Sequence, residues 1–258
     1  VMKLGYEGFP DFQARLLAEV EARLHSPLLM MEAKRQSGSN DSAVLAYLDS
    51  VTTALQKATA ATPVQTYERA ARLLMEAKGE IVMVGGRFSR HIAGMLAGYL
   101  VQFRSGVRDL GVLSPQIFDT LADLGRRDVL VVFDYRRYQL DVMAYAKQAA
   151  ALDVRIVLFT DQWLSPISDL AEVTIVSPLE VASPYDTLAP AIAQMEALVA
   201  HIVSTLGDEA RARIERLEKV RHANAVTLDS EPQENGARKT PGPRKTPGPK
   251  SAKQDDKA

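Results

Sequence analysis

The chain has 258 residues and a net charge of −1, with 47% hydrophobic and 24% charged side chains. That is the composition of a globular protein with a full core, built as one large domain or one domain with appendages. Cysteine is absent, which excludes disulfides, thiol catalysis and cysteine-ligated zinc or iron–sulfur sites. The longest apolar runs, such as Val129-Leu130-Val131-Val132-Phe133, fall far short of the ~20 residues of a membrane-spanning helix. No signal peptide opens the chain, so a cytoplasmic location is expected. The charge is uneven: residues 237–258 carry seven Lys/Arg and two Asp, a balance of +5 that leaves −6 on residues 1–236. An acidic body of this kind does not coat nucleic acid by itself.

Taken in chain order, residues 11–78 read as helical. Phe12, Leu16, Val20 and Leu24 mark one stripe, Pro27 a break, and Gln36 to Asp41 a loop ending in a cap. A second helix runs through Leu45, Leu48, Val51 and Leu55. A third starts at Thr62-Pro63, has Tyr67, Ala70, Ala71 and Leu74 on its apolar face, and stops before Gly79. Residues 80–206 alternate strands with helices. Ile81 to Val84, Val129 to Phe133, Val154 to Phe159 and Val173 to Val176 are continuous β-branched runs, the pattern of parallel strands buried on both faces. A weaker strand surrounds Val107 to Leu110. Ile92, Leu96, Tyr99 and Phe103 recur at helical spacing, as do Leu188, Ile192, Met195, Val199 and Ile202, with Thr187 as a cap and Pro190 in the first turn. The expected fold is a three-layer α/β sandwich around a parallel sheet of about five strands. Beyond it, the sextet Arg238-Lys239-Thr240-Pro241-Gly242-Pro243 repeats unchanged as residues 244–249. So polar a stretch cannot recover its ordering entropy and is predicted to be disordered, either a solvated tail or a salt-sensitive contact to a polyanion.

Ligands of such sheets bind beyond the carboxyl ends of the strands. After the first strand, Gly85, Gly86, Arg87, Phe88, Ser89 and Arg90 open a helix; the glycines allow close approach, and the helix N–H groups, Ser89 and the arginines favour an anion. After the third candidate strand, Val129 to Phe133, come Asp134, Tyr135, Arg136, Arg137, Tyr138 and Gln139, where guanidinium groups suit a phosphate or carboxylate and tyrosines cover a sugar face. The competing reading is that one arginine pairs with an acid to fix the loop. Thr160 offers a hydroxyl on the same edge, whereas Trp163 reads as packing. No catalytic set and no metal site emerges: His25, His91, His201 and His222 lack ligand spacing, and neither a Walker loop nor a dinucleotide fingerprint is present. No cofactor is expected.

Residues 80–206 resemble a sugar isomerase (SIS) domain, a phosphosugar-binding module. The opening Lys3-Leu4-Gly5-Tyr6-Glu7-Gly8-Phe9-Pro10-Asp11-Phe12 is similar to the segment that follows the recognition helix in RpiR-type (MurR/RpiR) bacterial transcription regulators. The resemblance covers residues 3–225. It implies a DNA-binding helix-turn-helix, a linker helix, and an SIS domain that senses a metabolite and dimerises. It also implies scaffold and recognition helices before Leu4, where only three residues stand, so the helix-turn-helix is expected to be truncated and major-groove reading lost. Two motifs depart from the family. Gly85 and Ser89 match its Gly-x-Gly-x-Ser turn, but Arg87 replaces the second glycine. Asp134, Arg136, Arg137 and Gln139 fall where the family has Ser, Ser, Gly and Thr, so an arginine-rich loop replaces a hydroxyl-rich phosphate cradle.

The expected organisation is a helix-turn-helix remnant plus linker helix in residues 1–35, an SIS domain with its leading helices in 36–225, and a basic tail in 226–258. The expected function is effector sensing and dimerisation in a transcription regulator, without enzymatic activity, as a homodimer or homotetramer. The effector is a sugar phosphate, a sugar acid or another small anion, placed at Gly85, Gly86, Arg87, Ser89, Asp134 to Gln139 and Thr160. The alternatives are a phosphosugar isomerase or lyase, for which Glu180 or His91 would have to serve as base, and a non-enzymatic interaction module.

Overall fold

A computed structural model of the chain describes Phe9, Phe12, Gln13, Met31 and residues 42–224. Of the first expected helical stripe only Phe12 is described; Leu16, Val20, Leu24 and the repeat-bearing tail lie outside the described residues. The chain divides into two units, Val1–Arg216 and Leu217–Ala258.

In the first unit, helix α1 (Ala43–Ala61) and helix α2 (Val64–Glu76) meet at Thr62-Pro63. Pro63, at φ −63°, caps α2 where its missing N–H costs nothing. Thr62 pins the junction to the sheet, accepting from Val176 N–H at 3.0 Å and donating to Val176 O at 3.3 Å. Helix α2 buries Ala70, Ala71, Leu73 and Leu74, the face its sequence announces.

The chain then alternates β1 (Ile81–Gly85), α3 (Arg90–Phe103), β2 (Val107–Asp109), α4 (Pro115–Asp119), β3 (Val129–Phe133), α5 (Leu140–Ala151), β4 (Arg155–Asp161), β5 (Val173–Ser177), α6 (Ala189–Ser204) and α7 (Asp208–Ala223). All strands pair in parallel, in the order β2-β1-β3-β4-β5. Both faces of β1, β3 and β4 are covered, which is why those strands read as unbroken apolar runs. On one face Met83, Val131, Phe133 and Phe159 pack with α2, α3 and α6; on the other Val82, Val132 and Leu158 pack with Tyr145 and Val142 of α5. Phe133 and Phe159 stack across β3 and β4 at 4.4 Å. Each such fully buried side chain contributes about 1.5–3 kcal/mol. Strand β2 is short and half-buried at the sheet edge, hence its weak sequence signal.

At the opposite end of the strands, Asp128 gathers the entries to β1 and β3. Its carboxylate accepts from Glu80 N–H at 2.6 Å and from Gly125 N–H at 2.8 Å. Only glycine fits at position 79, since a Cβ there would lie 2.0 Å from Asp128 Oδ1. Gly79 therefore closes this junction three residues past the end of α2. Thr187 sits one residue before the cap of α6, where its hydroxyl still accepts from Ala189 N–H at 3.2 Å, and Pro190 occupies the first turn.

Of the apolar stripes of α1 and α6, that of α6 lies inside the core, with Met195, Leu198, Val199 and Ile202 buried. The stripe of α1 points outward: Leu45 is 67% and Leu48 54% exposed, while the face turned to α6 and β5 is made of Ala54 and Ala58. Small residues allow the close approach there. Among the described residues, no single helix is long and apolar enough to cross a membrane. In the second unit the described part is the end of α7, where Arg221 pairs with Glu218 at 2.5 Å, one turn apart.

Candidate functional site

The strand order reverses between β1 and β3: the chain leaves β1 toward β2 on one side, and continues from β3 toward β4 on the other. The loops that follow β1 and β3 therefore diverge and leave a crevice. A cavity of about 790 Å³ occupies it. Its walls are Gly86 to Ser89 after β1, Asp134 to Arg137 with Gln139 after β3, Leu179 and Pro184 to Leu188 after β5, and Tyr47 from α1. Of the residues expected at the site, Gly86, Arg87, Ser89, Asp134, Tyr135, Arg136, Arg137 and Gln139 are brought together here. Gly85, Tyr138 and Thr160 are not among its lining.

Gly85 ends β1 where the chain turns back on itself. A Cβ at this position would stand 2.6 Å from Arg90 N and 2.8 Å from Arg90 Cα, so the turn requires glycine. Ser89 is buried, and its hydroxyl is spent inside the fold: it donates to Phe133 O at 2.6 Å and accepts from Gly86 N–H at 2.9 Å. It ties the two loops together at the cavity wall. Gln139 does the same from the other side, its Oε1 accepting from Arg87 N–H at 2.9 Å.

The two arginines after β3 differ sharply. Arg136 has a side chain only 4% exposed, gripped bidentately by Asp186 with Nε–Oδ2 at 2.6 Å, and its guanidinium lies 4.2 Å from the centre of the Trp163 ring. Burial works to lower its pKa, but the Asp186 bond and charge outweigh that and raise it. The Nη1 atom of Arg136 is buried without a hydrogen-bond partner. The expectation that one arginine pairs with an acid thus describes Arg136, with Asp186 as the acid. Arg137 and Arg87 are exposed at the mouth of the crevice and, among the described residues, neither enters an ion pair.

Asp134 forms the floor. It is 1% exposed, accepts from Ser165 Oγ at 2.5 Å and from Gln139 N–H at 3.3 Å. Burial pushes its carboxyl from 3.8 up to about 6, tempered by those two bonds and reinforced by the charges of Asp161 and Asp141. Tyr135 is buried beside it with its hydroxyl 3.4 Å from Ser177 Oγ, and burial raises its phenol above the ordinary value. Tyr138 turns away to donate to Asp161 Oδ1 at 2.8 Å. Burial and that bond raise its pKa as well. Asp161 also holds Arg136 N–H at 2.6 Å and Trp163 N–H at 3.0 Å, so it organises the loop from beneath. Thr160 is wholly buried and accepts from Ser165 N–H at 3.0 Å.

Asp186, Tyr185 and Tyr47 escaped sequence reasoning, while Phe88 and Thr187 were read only as part of a turn and as a helix cap. The Tyr47 hydroxyl reaches Thr187 Oγ1 at 3.4 Å, bringing the leading helix to the rim. The available signal was the acid-plus-aromatic pair Tyr185-Asp186 after the last strand. Among the described residues, no group of three or more His, Asp or Glu side chains is placed to hold a metal ion.

Against known proteins, the SIS domain family model matches residues 73–204, more than half of the chain. The sugar isomerase domain of an RpiR transcription factor from Sphaerobacter thermophilus is similar at 22% identity and a TM-score of 0.62, covering 67% of this chain and 96% of that one. The Vibrio vulnificus NanR protein, solved with ManNAc-6P, is similar at 16% identity and a TM-score of 0.61, over 88% of this chain and 79% of that one. A phosphoheptose isomerase from Francisella tularensis is similar at 15% identity and a TM-score of 0.52, over 64% and 96%. At these identities the likeness is one of fold, shared by regulators and isomerases alike. A search of curated proteins gives no match. A parallel five-stranded sheet of this order, matched by the domain model from the end of α2 through α6, shows that the chain belongs to the SIS domain family.

Proposed function

We propose that this SIS domain is the effector-sensing and dimerising part of a cytoplasmic RpiR-type transcription regulator, and that a phosphosugar or related small organic anion binds in the switch-point crevice. The observation that carries binding over turnover is the state of the acids and bases there. Among the described residues lining the cavity there is no histidine and no glutamate. Its two aspartates are engaged, Asp134 by Ser165 and Gln139, Asp186 by Arg136. Glu180 and His91 are exposed and do not line the cavity. Proton abstraction from a sugar needs a base within hydrogen-bond reach of the carbon acid's proton.

Two further points support the regulator. The Sphaerobacter thermophilus neighbour is a transcription factor domain of similar fold, and the match to NanR, solved with ManNAc-6P, reaches over most of this chain. The outward apolar face of α1 suits pairing with a second copy about a two-fold axis. A ligand would then act by its differential affinity for two dimer geometries, passed to a helix-turn-helix N-terminal to the Leu4–Phe12 segment. The test is calorimetric titration with a panel of sugar phosphates and sugar acids, with the same mixtures followed by NMR for isomerised product. Saturable binding without conversion is the expected result. Steady turnover of any of these compounds would replace the regulator with an isomerase.

A further inference from the structure

The turn between β1 and α3 presents a backbone N–H that the protein satisfies with one of its own side chains. Gln139 Oε1 accepts from Arg87 N–H at 2.9 Å, and it lies so near the turn that a Cβ on Gly86 would be 3.2 Å away. A backbone N–H just before a helix start favours a negatively charged acceptor, yet its occupant here is a neutral carbonyl oxygen. The neighbouring hydroxyl of Ser89 is already committed to Phe133 O and Gly86 N–H. Around this position stand Arg87 from one loop and Arg137 from the other, both exposed and without ion pairs among the described residues. Inside the crevice wall, Arg136 is held by Asp186 while its buried Nη1 has no hydrogen-bond partner.

We propose that Gln139 is an internal stand-in for the oxyanion of the ligand, and that an incoming phosphate or carboxylate displaces it from Arg87 N–H. The charge that grips the anion comes from Arg87 and Arg137. Arg136 is a positioning residue, because Asp186 neutralises its guanidinium and Trp163 covers it. This rests on the crevice being the effector site. Arginine forks accept either anion, so the oxyanion belongs to a sugar phosphate or to a sugar acid. Displacement moves only the side chain of Gln139, the residue that precedes α5; its backbone N–H keeps its bond to Asp134.

The experiment is calorimetric titration of the full chain with inorganic phosphate, glucose 6-phosphate and gluconate, for wild type, Gln139→Ala, Gln139→Glu and Arg137→Ala. The Arg87 amide is followed by NMR in parallel. Removing the internal acceptor relieves the ligand of displacing one neutral hydrogen bond, so Gln139→Ala should bind roughly 2–12-fold tighter, with the Arg87 amide shifting on titration. Gln139→Glu installs a tethered carboxylate and should bind all three probes more weakly than wild type. A larger gain for the two phosphate-bearing probes assigns a phosphate, and a larger gain for gluconate a carboxylate. Binding that Arg137→Ala weakens but both Gln139 variants leave unchanged overturns the stand-in and keeps the crevice. Binding indifferent to all three substitutions, with a silent Arg87 amide, removes the crevice reading as well.

Discussion

Replacing Arg136 by methionine breaks the best-defined polar contact in the crevice wall while keeping most of the side chain's length. The guanidinium is 4% exposed and its partner carboxylate 23%. Breaking a buried pair by removing one member costs about 3–5 kcal/mol, because the other charge stays behind. Asp186 keeps enough exposure to recruit water, which places the loss at the lower end, about 3 kcal/mol. The stack on Trp163 is partly retained by the thioether. The bond from the main-chain N–H of residue 136 to Asp161 does not involve the side chain at all. In a chain of this size, about 3 kcal/mol lowers the melting temperature by roughly 6–12 °C. Urea denaturation followed by circular dichroism measures it, and Asp186→Leu with the double variant completes a cycle that isolates the pair. The double variant should recover most of the loss. A single variant within about 0.5 kcal/mol of wild type, or strictly additive losses, would refute the view that Arg136 is a structural residue held by Asp186.

Three other outcomes follow from the same structure. Asp134 titrates at about 6 in the fold against 3.8 ordinarily, so the folded chain holds this proton more tightly than the unfolded one. Stability from this group is greatest at low pH and declines as pH rises from about 4 through about 6, by about 3 kcal/mol in all. Asp134→Asn should therefore gain on wild type across that window in urea titrations at pH 4.5, 5.5 and 7, and a pH-independent difference would contradict it. Gly85→Ala forces a Cβ against the backbone of Arg90, and should cost about 1–3 kcal/mol of stability; an unchanged melting curve would show that the turn can relax. Leu45→Lys/Leu48→Lys places charges on the exposed face of α1, and light scattering should show a dimer for wild type and a smaller mass for the variant; equal masses would move the interface elsewhere.

Much of the architecture was legible because the sheet is parallel and covered on both faces. Residues such as Ile81 to Val84 and Val129 to Phe133 must all be apolar in that setting, and a run of β-branched residues announces it. Helix α1 shows the limit of periodicity. Leu45, Leu48 and Leu55 form a regular stripe, yet the side chains that α1 buries are Ala54 and Ala58, so an apolar stripe does not say which face the chain keeps for itself. At the site, the two loops flanking the strand-order reversal were legible from their glycines and arginines. The division of labour between Arg136 and Arg137 was not, since it depends on Asp186, fifty positions away along the chain. Ser89 and Thr160 likewise carry hydroxyls suited to a ligand, and three-dimensional packing commits both to the backbone of neighbouring loops.

Whether the crevice holds the effector is measured most directly by calorimetric comparison of wild type and Arg137→Ala with the tightest binder among sugar 6-phosphates and sugar acids. Arg137 is exposed and makes no ion pair among the described residues, so its loss should leave the melting temperature unchanged. Losing one charge-assisted hydrogen bond, at about 1.5 kcal/mol or more, should weaken binding by about 10-fold or more. Undiminished affinity in Arg137→Ala, at the same stoichiometry as wild type, would place the ligand outside the crevice.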